Sequence, residues 1–112
     1  MNITFRTTKL MKVCNSREAA RKSFGSREGD MVIRRLAELS AAESLQDIKN
    51  LPTLRCHELK GKRKGQLACD VTHPLRIVFR PANEPVPRLS DGGLDWSRVT
   101  AIEVLEIVDY HD

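Results

Sequence analysis

The spacing of apolar residues changes once along this chain, near Pro52. Before that point the period is helical. The run ITF at 3–5 is short and β-prone, and TTKLMKVC then sets Leu10, Val13 and Cys14 at helical spacing behind threonines able to cap a helix. NSREAARKSFG offers Asn15 or Ser16 as a cap, a row of good helix formers, and Gly25 as a stop. From Arg27 to Ser40, Val32, Leu36 and Leu39 fall on one face with Ile33 and Ala37 beside them, while Arg34, Arg35 and Glu38 take the other. This is the strongest helix the pattern predicts. SLQDIK adds a short turn behind Ser44, which Pro52 prevents from continuing.

After Pro52 the period becomes two. In QLACDV the apolar residues are Leu67, Cys69 and Val71, and in LRIVFR they are Leu75, Ile77 and Phe79, so the short THP link between them predicts a hairpin with one core face and one polar face. Alternation puts Arg76 and Arg80 together on the face opposite Phe79. The stretch 81–99 is rich in Pro and Gly, lacks a period and carries the only tryptophan, Trp96, which reads as a long surface loop and a local anchor. In AIEVLEIVDY apolar residues occupy both parities, as in an interior strand covered on both faces or one carrying a bulge. A strand, then helices, then antiparallel strands predict one α+β domain over residues 1–112, with the helices on one face of the sheet.

The composition adds less. A chain of 112 residues, 40% hydrophobic and 30% charged, holds one modest core and leaves no room for a second domain. No apolar run approaches a membrane span and MNITFRTTK has no secretion h-region, so the expected location is the cytoplasm, with no membrane partner. Cys14, Cys56 and Cys69 have no framework spacing and read as small packed thiols. The net charge of +4 favours an anionic partner: nucleic acid, anionic lipid or an acidic protein.

The chemistry concentrates in two stretches, CHELKGKRKGQ at 56–66 and the terminal Asp109-Tyr110-His111. If they meet on the Arg76 face they form a cationic concavity suited to a phosphate backbone. An imidazole titrates near pH 6.5, so either His57 or His111 can move a proton at neutral pH. Asp109 would orient or act as base, and Tyr110 would donate a hydroxyl or stack on a base. Lys60, Lys62, Arg63, Lys64 and Arg76 would hold phosphate and stabilise the charge that builds on it. That inventory suffices to cleave RNA without a metal or other cofactor, because the 2′-hydroxyl supplies the nucleophile.

The same residues carry a resemblance. His57 to Gln66 read H-x-L-K-G-x-R-K-G-Q, Arg76 to Phe79 read R-I-V-F, and Val108 to His111 read V-D-Y-H. In that order, and with LAELSAAESLQDI at 36–48, the chain resembles the HigB-type toxins of the RelE/ParE superfamily. The resemblance implies a RelE-like fold: an N-terminal strand and two main helices on one face of a mostly antiparallel sheet, with a long loop before the last strand. It implies ribosome-dependent cleavage of messenger RNA, and neutralisation by a HigA-like helix-turn-helix antitoxin through which alone the protein would reach operator DNA. By motif, His57, Asp109, Tyr110 and His111 match the catalytic set, Lys60 and Arg76 the phosphate contacts, and Arg63 and Lys64 contacts along the RNA groove. The chain departs from the family in having Lys62 where an acid is common, Leu67 where an aromatic is common, and a longer loop over 81–99.

Other readings of these residues stand beside this one. Arg76 can pair with Asp70 across the hairpin, Asp109 can cap or pair locally, Tyr110 can pack at the strand end, and His73 before Pro74 reads as a turn residue. A metal site built from Cys56, His57, Asp109 and His111 would lack any recognised zinc spacing. At the level of function, the alternatives are a non-catalytic toxin of this fold acting on a protein such as DNA gyrase, and a non-toxic nucleic-acid-binding regulator.

Overall fold

A computed structural model describes residues 1–109. The chain runs β1 (Asn2–Phe5), α1 (Thr8–Cys14), α2 (Arg17–Phe24), α3 (Ser26–Ala41), α4 (Leu45–Lys49), β2 (His57–Glu58), β3 (Leu67–Thr72), β4 (Leu75–Pro81) and β5 (Ala101–Asp109), with single 3-10 turns at Pro52–Leu54, Gly61–Arg63 and Trp96–Arg98. The strands form one sheet in the order β1-β5-β4-β3-β2, parallel between β1 and β5 and antiparallel elsewhere. The expected α+β architecture is therefore present, with α2 and α3 as the main helical pair and α1 and α4 as shorter additions.

Local chemistry sets the helix ends. The Thr7 hydroxyl accepts from the Leu10 amide at 3.1 Å and the Ser16 hydroxyl from the Ala19 amide at 3.1 Å, each satisfying a first-turn N–H. Gly25, at φ 96°, turns α2 into α3. Four residues on, Gly29 lets the two helices close up: a Cβ there would lie 2.5 Å from the backbone nitrogen of Arg21.

The helices lie on the Phe79 face. Val32, Leu36 and Leu39 from α3 and Leu45 and Ile48 from α4 pack with Leu67, Cys69, Ile77, Phe79, Ile102 and Val104 of the sheet in one buried cluster. Arg35 departs from its expected place on the solvated side of α3. Its side chain is largely buried, and its Nε donates to the Asp70 carbonyl at 3.1 Å while its Nη1 reaches Glu38 Oε1 at 2.7 Å, tying α3 to β3.

The opposite face is not the plain polar face that alternation predicts. Ala68 and Val78 are fully buried there beneath Leu59 and Leu105. Leu59 comes from the chain after β2, and Leu105 from an irregularity in β5. Val78 pairs with Glu106 and Phe79 with Val104, so Leu105 is an extra residue in the ladder. The bulge accounts for the mixed parity of this strand, and β5 is also interior, as the pattern required.

The stretch after β4 is anchored at both ends. The Asn83 side chain accepts from the amides of Thr100 at 3.0 Å and Ala101 at 3.1 Å. Farther out, Arg88 and Leu94 form a β-bridge, closed by Leu89 N–H to Gly93 O at 2.7 Å, with Leu94 buried. Trp96 packs half-buried against the core beneath Lys49, whose Nζ lies 4.9 Å from the ring centroid, in keeping with a local anchor.

Candidate functional site

β2 is two residues long and escapes any periodicity argument, yet it fixes His57. His57 pairs with Ala68 and so shares the open, helix-free face with Ala68 and Val78. Its Nδ1 lies 2.8 Å from the Arg55 carbonyl oxygen. A carbonyl only accepts, so Nδ1 carries the proton, and in the neutral ring the Nε2 lone pair is left for other work on an exposed side chain. Arg55 itself sits at φ 46°, a left-handed conformation that brings its carbonyl under the ring.

Two residues along the strands lies an ionic row. Asp70 pairs with Arg76 in register, and Arg76 Nε donates to Asp70 Oδ1 at 3.1 Å. Arg55 Nε approaches the other carboxylate oxygen at 3.7 Å. Asp70 thus sits between two guanidinium groups, and Arg76 takes up the cross-strand pair that stood as its structural reading. Sheet geometry separates the Cα atoms of His57 and Arg76 by on the order of 12 Å, two strands and two residues apart.

The 60–64 segment crosses the same face as a 3-10 turn entered at Gly61 (φ 64°) and left at Gly65 (φ 88°). Buried Leu59 holds it down from one side. Arg63 holds it from the other, through Nη1 at 2.7 Å from Glu106 Oε1 on β5. Lys60, Lys62 and Lys64 are exposed and, among the described residues, have no carboxylate within 4.0 Å. An open cleft of about 490 Å³ runs from His57 to Lys60 and Gly61.

Asp109 is exposed at the end of β5, paired with Leu75, one step past the Val108–Arg76 pair. It therefore has the parity opposite to Arg76. Tyr110 and His111 lie outside the described residues. His57, Lys60, Lys62, Arg63, Lys64 and Arg76 are brought onto one face, together with Arg55, Asp70 and Glu106, which act as partners. Arg55 and Glu106 gave no signal in the sequence, because their roles depend on a left-handed turn and a bulged register.

Cys56 alternates away from His57 and packs against the core, where burial pushes its thiol up to about 12. Burial likewise raises Cys14, to about 11, and Cys69. Among the described residues no group of three or more His, Cys, Asp or Glu side chains stands close enough to hold a metal ion. A cleft of about 500 Å³ between β1, α1 and α3 is lined by Cys14 and by none of the candidate site residues. Among the described residues, no helix is long and apolar enough to cross a membrane.

No protein-family model matches the chain, and no curated protein matches it either. Solved structures do. A YoeB/ParE toxin from Agrobacterium tumefaciens superposes with a TM-score of 0.54 at 13% identity, covering 99% of this chain and 100% of that one. The YoeB-YefM complex from Staphylococcus aureus gives 0.56 at 13% identity, over 100% and 98%. The chain has the YoeB/RelE-like toxin fold across its whole described length.

Proposed function

We propose that this protein is the toxin of a type II toxin–antitoxin pair, of the HigB type, and that it acts as a ribosome-dependent endoribonuclease on translated messenger RNA. The observation that carries the reading is His57 with Nε2 exposed on the same sheet face as the 60–64 cations and Arg76. The likeness of fold to the YoeB/ParE toxin supports it, as do the motifs that end in Asp109, Tyr110 and His111.

In the proposed reaction, a base removes the proton of a 2′-hydroxyl, whose oxygen attacks the adjacent phosphorus. The P–O5′ bond breaks, a second group protonates the leaving 5′-oxygen, and the products are a 2′,3′-cyclic phosphate and a 5′-hydroxyl. Neutral His57, protonated on Nδ1, has the correct form for the base. Tyr110 and His111 are assigned the complementary proton transfer, and Asp109, at the end of β5 with parity opposite to Arg76, only their orientation. Arg76 opposes the charge that grows on the non-bridging oxygens, Lys60 contacts the phosphate backbone, and Lys62, Arg63 and Lys64 follow the RNA groove. No step calls on a metal or other cofactor. The partner is an antitoxin, a reading supported by the YoeB-YefM complex of the S. aureus neighbour; its HigA-like helix-turn-helix type, and access to operator DNA only through that complex, rest on the sequence motifs alone.

The test is expression in bacteria followed by primer extension on cellular messages. Growth arrest with new 5′ ends inside translated frames is expected of the wild type, and relief of both by His57→Ala or His111→Ala. Arrest without cleavage would overturn the nuclease reading in favour of a protein target such as DNA gyrase. Neither arrest nor cleavage would leave a nucleic-acid-binding regulator.

A further inference from the structure

The cations of the open face and of the adjoining β2 edge differ in their partners. Arg63, Arg76 and Arg80 each meet a carboxylate: Glu106 at 2.7 Å, Asp70 at 3.1 Å and Glu103 at 2.7 Å. Lys60, Lys62, Lys64 and Arg88 have none within 4.0 Å among the described residues. Three of these four meet. Lys60, Lys64 and Arg88 line one open cleft of about 410 Å³ with Gly61 and Gly65, and a single acid, Glu58, shares it. The cleft is net positive, and among the described residues its cations meet no carboxylate.

Two further features suit it to an anion. A Cβ at Gly61 or Gly65 would meet nothing within 4 Å, so a ligand can come down onto bare backbone there. Arg88 is held in position as well: its β-bridge to Leu94, the 2.7 Å bond from Leu89 N–H to Gly93 O and the 3.0 Å bond from Asp95 N–H to Pro87 O stiffen the loop around it, and buried Leu94 fastens that loop to the core. Glu58, Leu59, Lys60 and Gly61 line both this cleft and the one that opens at His57, so the two flank the same segment of chain.

We propose that Arg88, with Lys60 and Lys64, forms a second phosphate-binding position that grips the single-stranded RNA backbone beyond the nucleotides at His57. This rests on the nuclease reading above and assigns the long loop before β5 a substrate contact. Arg63 and Arg80 brace the sheet face, and the cations without a carboxylate among the described residues track the strand.

The probe is a fully 2′-O-methylated single-stranded oligoribonucleotide, which lacks the attacking hydroxyl, with binding followed by fluorescence anisotropy across a series of salt concentrations. Removing one phosphate contact from a single strand lowers the slope of log affinity against log salt by about 0.7. Arg88→Ala is expected to weaken binding several-fold with that loss of slope, Arg88→Lys to keep the slope, and Lys22→Ala, an exposed cation on α2, to change neither. The thermal midpoint of Arg88→Ala should match the wild type, because the exposed side chain adds nothing to the bridge its backbone makes. An unchanged slope in Arg88→Ala alongside a reduced one in Lys60→Ala would overturn the Arg88 site and leave the RNA reading standing. Wild-type protein with no salt-dependent affinity for the oligonucleotide would overturn both.

Discussion

The two faces of this sheet are held by different physics. On the helix side, sixteen buried residues from α1, α3, α4, the strands and the connecting loops form one apolar cluster. On the other side, among the described residues, Leu59, Ala68, Val78 and Leu105 are buried, and around them run the pairs Asp70–Arg76, Arg63–Glu106 and Arg80–Glu103. Burial stabilises in proportion to the apolar area removed from water, whereas surface ion pairs contribute little but fix geometry. The difference teaches that one face makes the fold and the other makes a surface with charges at set positions.

Adjacent residues on β4 give the largest test of this division. Phe79 and Val78 are both fully buried, but on opposite faces. Phe79→Ala should destabilise by about 3–5 kcal/mol, enough to unfold a domain of marginal stability, and Val78→Ala by about 2 kcal/mol. Urea unfolding of the two variants measures the difference. Equal losses would mean that the small cluster beneath Leu59 is as much a core as the large one.

Breaking the ionic row is next in size and separates stability from activity. Arg76→Ala leaves Asp70, mostly buried, with only Arg55 at 3.7 Å, and should cost about 1–2 kcal/mol while abolishing growth arrest. Asp70→Asn should cost a similar amount and leave arrest partly intact, because Arg76 keeps its charge. If both variants unfold alike and kill alike, Arg76 is a brace and nothing more.

How far these features could be read in advance follows from their range along the chain. Helix α3, the β3–β4 hairpin and the interior strand β5 each carry a period within their own residues, and the sequence predicts them. β2 has two residues and no period. The bulge at Leu105 shows only as mixed parity, and the partnerships of Arg63 with Glu106 and Arg55 with Asp70 depend on register between distant segments. The candidate residues inside local motifs, such as His57 and Arg76, can therefore be named from the sequence, while Arg88, proposed from the structure, lies in an aperiodic loop whose fold depends on backbone bonds around Leu94.

The thiols test whether the helix side is closed to solvent. Burial raises Cys56 to about 12 and Cys14 to about 11, so few thiolates exist in the folded protein near pH 8. Iodoacetamide should modify none of the three cysteines in the native state and all of them in urea, scored by mass. The sign for stability follows. Unfolded thiols ionise from about pH 8.5 while folded ones do not, so stability is full below that value and falls as pH rises toward the folded values. Rapid native labelling of Cys56 would show that the β2 end of the core is open.

The smallest effect belongs to the outer surface of the helices, where Asp30 of α3 accepts from Arg21 at 2.6 Å and from Arg17 at 2.9 Å. The hydrogen bonds from Arg21, and then from Arg17, hold its carboxyl well below the usual carboxylate range. Below about pH 4 the unfolded chain therefore binds a proton that the folded chain refuses, and stability falls with pH in that window; above it the contribution is complete. Asp30→Asn removes the titrating group and should flatten the acid limb of the urea midpoint against pH while lowering the midpoint near neutrality by the same amount, which is small because the trio is solvent-screened. Asp70→Asn in the same assay gives the sharper comparison. An acid limb that responds to Asp70 and not to Asp30 would place the pH-sensitive ion pairing on the open sheet face, beside the residues assigned to catalysis, and not on the helices that cover the core.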